Sequence, residues 1–215
     1  MKPIRLILSE PFEKLPSGAS RFWGNPDLPE GVDYPTYVDD EGDDYPYVFI
    51  CQINLAQVAP YDVDNLLPHE GMLLFFAKID HYLGQFAATD CIGGYISEPD
   101  AVKVLYFPSC DNLREVVLID DDDNPIAPEE LEVAFSLQFP ELCDDIALFA
   151  EPTHRQWETW DHPYEDWEIL FQVDSIAGKD YNLNFMDCGV LDFLISPKDL
   201  AARRFDNVRG IVLST

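Results

Sequence analysis

Two short segments with the same pattern constrain the fold of this chain most. Residues 49–54 read FICQIN and residues 169–174 read ILFQVD, and each is an apolar run broken by one glutamine, Gln52 or Gln172. Apolar runs of this length that are rich in β-branched and aromatic residues predict β-strands. A glutamine at the same place in both strands indicates that the two segments are related.

The features that follow each glutamine strand recur in the same order, which predicts an internal repeat. Gly71 begins GMLLFFA and Gly189 begins GVLDFLI, and residues 101–107 and 207–214 each add a third strand-like segment. We therefore predict one domain with two pseudo-symmetric halves. Its bounds are 1–215 for the domain, about 45–110 and 168–215 for the halves, and about 111–167 for an acidic segment that connects them.

Helix signals are few and local. Ser196 is a candidate N-cap before Pro197, which predicts a short helix at 197–204. Apolar residues at helical spacing predict a second helix at 141–149. Seventeen prolines favour long loops over long helices. The predicted fold class is α+β, mainly antiparallel β-structure with a few short helices.

The charge of the chain restricts the partners that it is expected to bind. Asp and Glu number 41 against 13 Lys and Arg, which gives a formal net charge of −28. Such a chain repels phosphates, so we expect neither nucleic acid nor an anionic membrane as a partner. A basic protein fits the charge better, although acidity also serves solubility alone.

The cysteines and the apolar runs predict a cytoplasmic protein. Five cysteines without a close CxxC pair indicate neither a disulfide framework nor a zinc ribbon, and no cofactor is predicted. The first residues, MKPIRLILSEPFEK, lack the apolar core of a signal peptide. No uncharged apolar run approaches the roughly 20 residues that a membrane-spanning helix needs.

Several ordered motifs together resemble one known family. They are SRFWGNPDLPEGVDYPTY, YVFICQINLAQV, LLPHEGMLLFF, WEILFQVDS and CGVLDFLISPKDLAARRFDNV. This set is similar to the YwqG-like family, a bacterial family described as a domain of unknown function. In the first motif, the residues that match the family are Gly24, Pro26, Leu28, Pro29, Gly31, Tyr34 and Pro35. The resemblance implies a shared α+β fold with internal pseudo-symmetry, and it implies no reaction and no catalytic residues.

The glutamines allow two interpretations. Strict strand alternation puts Gln52 on one face with Ile50 and Asn54, and it puts Gln172 on one face with Leu170 and Asp174. An amide in such a place can tie an irregular loop to the strand. Alternatively, a ligand binds in a cleft between the halves. The candidate ligand residues are then Gln52, Asn54, Gln172 and Asp174.

Two acidic runs, 39–45 and 119–125, raise the question of calcium. Asp120, Asp122 and Asn124 have the alternate spacing of oxygen ligands that calcium needs. An EF-hand loop requires glycine at its sixth position, where Pro125 stands. We therefore predict no metal site and interpret the run as a solvated turn.

Residues 151–168, EPTHRQWETWDHPYEDWE, combine tryptophans with acids, which suits either cover for the core or recognition of a basic partner. The candidate partner surface consists of Trp157, Trp160, His162, Tyr164 and Asp166.

The sequence contains no GxSxG, P-loop, GxGxxG or HExxH motif, which favours a binding protein over an enzyme. The first hypothesis is a non-enzymatic interaction protein with an acidic surface, for example an immunity-type protein that blocks a basic toxin. The alternatives are a small-ligand binder or hydrolase with a cleft between the halves, and a calcium-binding module. The sequence leaves the oligomeric state open.

Overall fold

The computed structural model of the protein describes residues 1–39, 41–79, 95–139, 145–151, 162–177, 182–185 and 189–213. Strands dominate this part of the chain. They are β1 (Ile4–Ser9), β2 (Arg21–Phe22), β3 (Asp27–Pro29), β4 (Thr36–Val38), β5 (Asp44–Pro46), β6 (Val48–Asn54), β7 (Met72–Ala77), β8 (Val102–Phe107), β9 (Leu113–Glu115), β10 (Leu131–Ser136), β11 (Ala147–Leu148), β12 (Glu168–Asp174), β13 (Ile176–Ala177), β14 (Asn182–Leu183), β15 (Val190–Ile195) and β16 (Arg209–Leu213). Two helices accompany them, α1 (Leu55–Val58) and α2 (Pro197–Ala201).

Ten strands form one antiparallel sheet in the order β16-β15-β12-β11-β1-β10-β2-β6-β7-β8. Its two edge strands, β8 and β16, contact each other, so the sheet is nearly closed. Tyr106 and Phe205 pack edge to face beside this seam, with ring centroids 5.5 Å apart. The remaining strands pair as β3–β9, β4–β5 and β13–β14.

The predicted α+β class is wrong, because the two described helices have only four and five residues. The fold is mostly antiparallel β-structure. The helix predicted at 197–204 begins at Pro197, and the Ser196 side chain caps it as expected, but it ends at Ala201. Arg203 has a φ of 55°, which is incompatible with a continued right-handed helix. Neither of the two described helices is long and apolar enough to cross a membrane.

The helix predicted at 141–149 is also wrong over its described part. Ala147 and Leu148 form strand β11, which pairs with β1 on one side and β12 on the other. Pairing on both edges of the strand outweighs the local helical spacing of apolar residues. The first residues of that prediction, 141–144, lie outside the described residues.

The sheet divides at its centre into two sets of five strands that correspond in order. We call β10, β2, β6, β7 and β8 the Gln52 half, and β1, β11, β12, β15 and β16 the Gln172 half. Gln52 pairs with Arg21 of β2 and Leu74 of β7. Gln172 pairs in the same manner with Ala147 of β11 and Asp192 of β15. The two glutamines therefore occupy corresponding ladder positions.

The central strands cross over between the halves. Strand β1 precedes β2 in the chain, yet it lies beside β11 in the Gln172 half, and β10 lies beside β2 in the Gln52 half. The two strands pair with each other at the centre of the sheet. This exchange interlocks the halves, which explains why the sheet is continuous.

Each glutamine strand carries a register shift that sequence alternation does not reveal. The pairing of β6 with β7 shifts next to Ile50, and the pairing of β12 with β15 shifts next to Leu170. Both residues pack in the central core. The prediction that they share a face with Gln52 and Gln172 is therefore wrong, because a bulge adds one residue to the inner face.

Hydrophobic residues fill the inside of the nearly closed sheet, and two further hydrophobic clusters lie on its outside, one on each half. Phe75 lies 4.5 Å from Phe171 and 5.3 Å from Phe193, measured between ring centroids, so the central core joins the two halves. A first outer cluster covers the Gln52 half and includes Phe49, Leu74 and Phe76. A second outer cluster covers the Gln172 half and includes Ile169, Val190, Leu194, Ile211 and Leu213.

Candidate binding site

The buried side chain of Gln52 ties its strand to the segment that runs from the end of β1 to the start of β3. Its Nε2 group donates to the Ala19 carbonyl and to the Asp27 carboxylate, and its Oε1 atom accepts the Asp27 backbone N–H, all at 2.8 Å. Arg21 pairs with Asp27 at 3.0 Å and with Glu130 at 3.2 Å. Buried amides and charges need such partners. The placement supports the interpretation that Gln52 holds a loop.

Gln172 shares only part of that environment. Its Nε2 group donates to the Asp145 carbonyl at 2.9 Å. This bond corresponds to that between Gln52 and Ala19, since each acceptor lies two residues before the strand residue that pairs with the glutamine. The buried Oε1 atom of Gln172 has no hydrogen-bond partner among the described residues.

The four candidate ligand residues do not meet in one cleft. Asn54 caps α1 by accepting the Ala56 N–H at 3.0 Å, and its amide donates to the Gly18 carbonyl at 2.7 Å. Asp174 accepts the adjacent Ser175 N–H at 2.7 Å. Strands β2, β10, β1 and β11 lie between β6 and β12 in the sheet. The structure therefore places Gln52 and Asn54 at one loop, apart from the other two.

The candidate partner surface is described only in part. Outside the described residues lie Trp157 and Trp160. Tyr164 packs edge to face on Trp167 with ring centroids 5.0 Å apart, and both rings cover the second outer cluster. His162 and Asp166 are exposed, and His162 contacts Glu165 at 3.0 Å. Tyr164 thus serves as core cover, while His162 and Asp166 face solvent.

A pocket of about 330 Å³ lies on the outer face of the Gln52 half, away from all of these residues. The described residues of its walls lie at 24–26, 34, 37, 45–49, 78–79, 118 and 126–128. The walls are mostly aromatic and aliphatic. Pockets of this size and lining bind small molecules or single anchor side chains of larger partners.

Four tyrosines dominate the pocket. Tyr37 and Tyr45 lie directly opposite each other on the β4–β5 hairpin, with ring centroids 6.1 Å apart. Tyr37 also contacts Tyr47 edge to face at 5.1 Å. Tyr34 donates its hydroxyl hydrogen to the Tyr47 carbonyl at 2.8 Å. Burial raises the pKa of Tyr47 to about 12 and raises that of Tyr34 as well, so both phenols are neutral at physiological pH.

Among the described residues of the pocket lining, Lys78 is the one cation, and it is paired. The Lys78 ammonium lies 4.6 Å from the centroid of the Tyr37 ring and donates to the Asp100 carboxylate at 2.9 Å. This hydrogen bond holds the pKa of Asp100 below its usual value. Tyr47 donates its hydroxyl hydrogen to the Asp100 carbonyl at 2.6 Å. The pocket therefore presents aromatic faces and one ammonium group, and a carboxylate outside the pocket lining neutralises that ammonium.

The two acidic runs form the tips of the hairpins that line this pocket. The Asp39 carboxylate accepts the N–H groups two and four residues later, at 2.9 and 2.8 Å. The Asp120 carboxylate accepts the equivalent two N–H groups at 2.9 and 2.8 Å. Tyr37 and Tyr45 flank the first tip in the chain, and Leu118 and Ile126 flank the second.

This geometry gives the calcium-binding alternative no support. Both Asp39 and Asp120 use their carboxylates to close turns, as Asp residues commonly do. Within the described ranges, no three His, Cys, Asp or Glu side chains are grouped so as to hold a metal ion. The tips remain acidic and solvent-exposed.

Sequence reasoning missed the tyrosines of the pocket. A signal was present, because four of the ten tyrosines fall within residues 34–47, YPTYVDDEGDDYPY. Two Tyr-containing segments flank an acidic turn there, which is the pattern of a hairpin that presents aromatic residues beside carboxylates.

The family model described as "Domain of unknown function (DUF1963)" matches residues 20–212. The match includes both glutamine strands and the walls of the pocket. No curated protein matches the chain. The description of the family names no activity.

Proposed function

This chain belongs to the family described as a domain of unknown function, DUF1963, and from that premise we propose a function on the geometry of its pocket. We propose that it is a non-enzymatic binding protein that receives part of a basic protein at the tyrosine-lined pocket. The observation that carries this proposal is the position of the pocket between two hairpins with acidic tips.

The chemistry of the walls suits an anchor residue from a protein partner. Tyrosine is enriched at the energetic centres of protein interfaces, because it buries a large apolar area at a low cost in side-chain entropy. The hairpins also expose apolar side chains beside the lining residues, namely Val38, Val117 and Ile119. Exposed apolar groups next to a pocket are typical of protein interaction sites.

The charge of the tips supports a basic partner. The net charge of −28 attracts a cationic protein over a distance, and the tips place several carboxylates next to the pocket walls. Lys78 does not oppose this attraction, because Asp100 neutralises it.

The described residues that line the pocket include no Asp, Glu, His, Ser or Cys. This gives the hydrolase alternative no support. A small-ligand binder is a second candidate, since about 330 Å³ is within the usual range for such sites. That candidate predicts a neutral ligand that raises the melting temperature of the wild type and not that of Tyr45→Ala.

The location of the protein, its family name and the origin of its two halves are also part of this proposal. We propose that the protein acts in the cytoplasm, that YwqG-like is the appropriate family name, and that the corresponding strand registers of the two halves descend from a duplicated unit. One concrete form of the function is inhibition of a basic toxin such as a nuclease, in which carboxylates occupy the place of nucleic-acid phosphates.

A peptide-display experiment tests the function. Random peptides of about twelve residues are selected on the immobilised protein at low salt, and the strongest binder is synthesised for fluorescence anisotropy. We expect selected peptides to be basic, and we expect Tyr45→Ala to raise the Kd of the best one about tenfold, which is about 1.4 kcal/mol.

The matched control is Tyr95→Ala, which removes an exposed tyrosine outside the pocket and should leave the Kd unchanged. Raising the salt concentration should weaken binding in wild type and control alike. Selection of neutral or acidic peptides, or equal affinities for the Tyr45 and Tyr95 variants, would contradict the proposal.

A further inference from the structure

Resting on the function proposed above, we propose that the group entering the tyrosine-lined pocket is the guanidinium of an arginine side chain from the basic partner. The proposal concerns the anchor residue only. The partner's remaining basic residues would face the acidic hairpin tips.

The tyrosine cluster already holds two cations of its own chain. Lys78 lies over the Tyr37 ring at 4.6 Å from its centroid, and Lys103 lies over the Tyr47 ring at 5.7 Å. Both distances are within the range of cation–π attraction, in which the negative face of the ring attracts the positive charge. The cluster therefore has an electrostatic preference for cations.

Tyr45 is the tyrosine of this cluster that remains available. The residue is 47% exposed, and among the described residues no lysine or arginine lies over its ring. It lines the pocket next to Pro46. An incoming cation can therefore stack on Tyr45 without displacing Lys78 or Lys103.

The remaining lining explains why arginine fits better than lysine. Val48, Ile79, Leu118 and Ile126 provide apolar walls. A lysine ammonium is strongly hydrated and loses much of that hydration in such a place, whereas a guanidinium is weakly hydrated and flat. The planar group can stack on a tyrosine face while the three methylene groups contact the aliphatic walls.

The Lys78–Asp100 pair is compatible with a second positive charge. Its charges cancel locally, because the ammonium donates to the carboxylate at 2.9 Å. The carboxylates at the hairpin tips supply net negative charge near the walls. A guanidinium thus enters a site whose nearest fixed cation is already compensated.

The test uses three peptides that differ in one residue: acetyl-Gly-Gly-X-Gly-Gly-amide with arginine, lysine or citrulline at X. Each is titrated into protein with ¹³C-labelled tyrosine rings, and the ring signals are followed by NMR. We expect the arginine peptide to shift the Tyr45 signal with saturation, and the lysine and citrulline peptides to bind at least about fivefold more weakly. Tyr45→Ala should abolish binding, and Tyr95→Ala should retain it.

Failure of this inference is distinguishable from failure of the proposed function. Equal affinities for the arginine and lysine peptides, or binding that survives Tyr45→Ala, would overturn the arginine anchor. If the selected basic peptide still binds at the pocket, the proposed function stands without it. If neither the pentapeptides nor the selected peptide binds, both proposals fall.

Discussion

The two halves of the sheet share a framework and differ in what covers them. Around Gln52, a loop with buried charges satisfies the whole amide, and the neighbouring strand contributes Leu74. Around Gln172, one amide bond is present among the described residues, and the neighbouring strand contributes the buried carboxylate of Asp192. The strand pairings thus correspond, while the side-chain environments of the two glutamines differ.

This difference indicates where function lies. Most of the described lining of the tyrosine-lined pocket comes from segments outside the ten-stranded sheet, including the β4–β5 hairpin, Leu118 and residues 126–128, and β6 of the Gln52 half contributes Val48 and Phe49. The described cover of the Gln172 half includes Tyr164 and Trp167, packed onto the sheet. Among the described residues, binding is therefore expected at the Gln52 half, and stability is expected to depend on both halves.

The largest expected loss of stability comes from substituting two glycines, one before β7 and one before β15, that lie against backbone carbonyl groups. A Cβ atom on Gly71 would overlap the Phe107 carbonyl oxygen, and one on Gly189 would overlap the Leu213 carbonyl oxygen. We expect Gly71→Ala and Gly189→Ala each to lower the free energy of unfolding by at least about 3 kcal/mol, measured by urea denaturation.

Gly31→Ala is the matched control for this pair. Gly31 also has a positive φ, of 83°, but nothing lies within 4 Å of an added Cβ, so about 1–2 kcal/mol is expected. A loss of stability for Gly189→Ala as small as that for Gly31→Ala, together with a large loss for Gly71→Ala, would contradict the expectation that the two glycines have the same role.

The next largest expected loss of stability differs between the two halves. Gln52→Leu leaves the buried Asp27 N–H without its acceptor and Asp27 without one donor, so we expect a loss of about 2–4 kcal/mol. Gln172→Leu removes one donor to the Asp145 carbonyl together with an oxygen that is unpartnered among the described residues, so the expected cost is about 1 kcal/mol or less. Urea denaturation of both variants measures the difference, and equal losses would show that the two environments do not differ energetically.

Much of the framework is predictable from the sequence, and the particular failures have physical causes. The strands predicted around Gln52 and Gln172 are present, and the two glutamines hold corresponding ladder positions. Strict alternation failed at Ile50, because nothing in a local pattern marks a bulge that depends on pairing with the next strand. The α+β class failed because cap signals predict where a helix begins and do not fix its length.

The pocket was less predictable than the sheet. No local sequence pattern predicts that Tyr34 and Tyr47 line one pocket, because tertiary packing brings them together with Lys78, Leu118 and Ile126. The acidic runs are evident in the sequence, but their position next to the pocket walls depends on contacts between segments far apart in the chain.

The smallest expected loss of stability comes from removing the ion pair between Lys78 and Asp100 beside the pocket. Lys78 lowers the pKa of Asp100, so the folded state binds a proton there less readily than the unfolded state. The stabilisation is therefore fully present above the usual carboxyl range and is lost as the pH falls through the lowered folded pKa. Because Asp100 is well exposed, we expect Asp100→Asn to cost at most about 1 kcal/mol at pH 7.

At a pH below the lowered pKa of Asp100, its carboxyl group is protonated and the ion pair no longer stabilises the wild type. The difference in free energy of unfolding between wild type and Asp100→Asn should therefore disappear. Urea denaturation at pH 7 and at successively lower pH measures the convergence. A constant difference between the two proteins across that range would show that the ion pair is not its source.

The most direct measurement of the central claim is the Kd of the selected basic peptide for three proteins: wild type, Tyr45→Ala and Tyr164→Ala. Tyr45 lines the pocket on the Gln52 half, and Tyr164 covers the Gln172 half. If binding belongs to the Gln52 half, Tyr45→Ala raises the Kd about tenfold and folded Tyr164→Ala binds like the wild type. A larger loss of affinity with Tyr164→Ala than with Tyr45→Ala would contradict the claim.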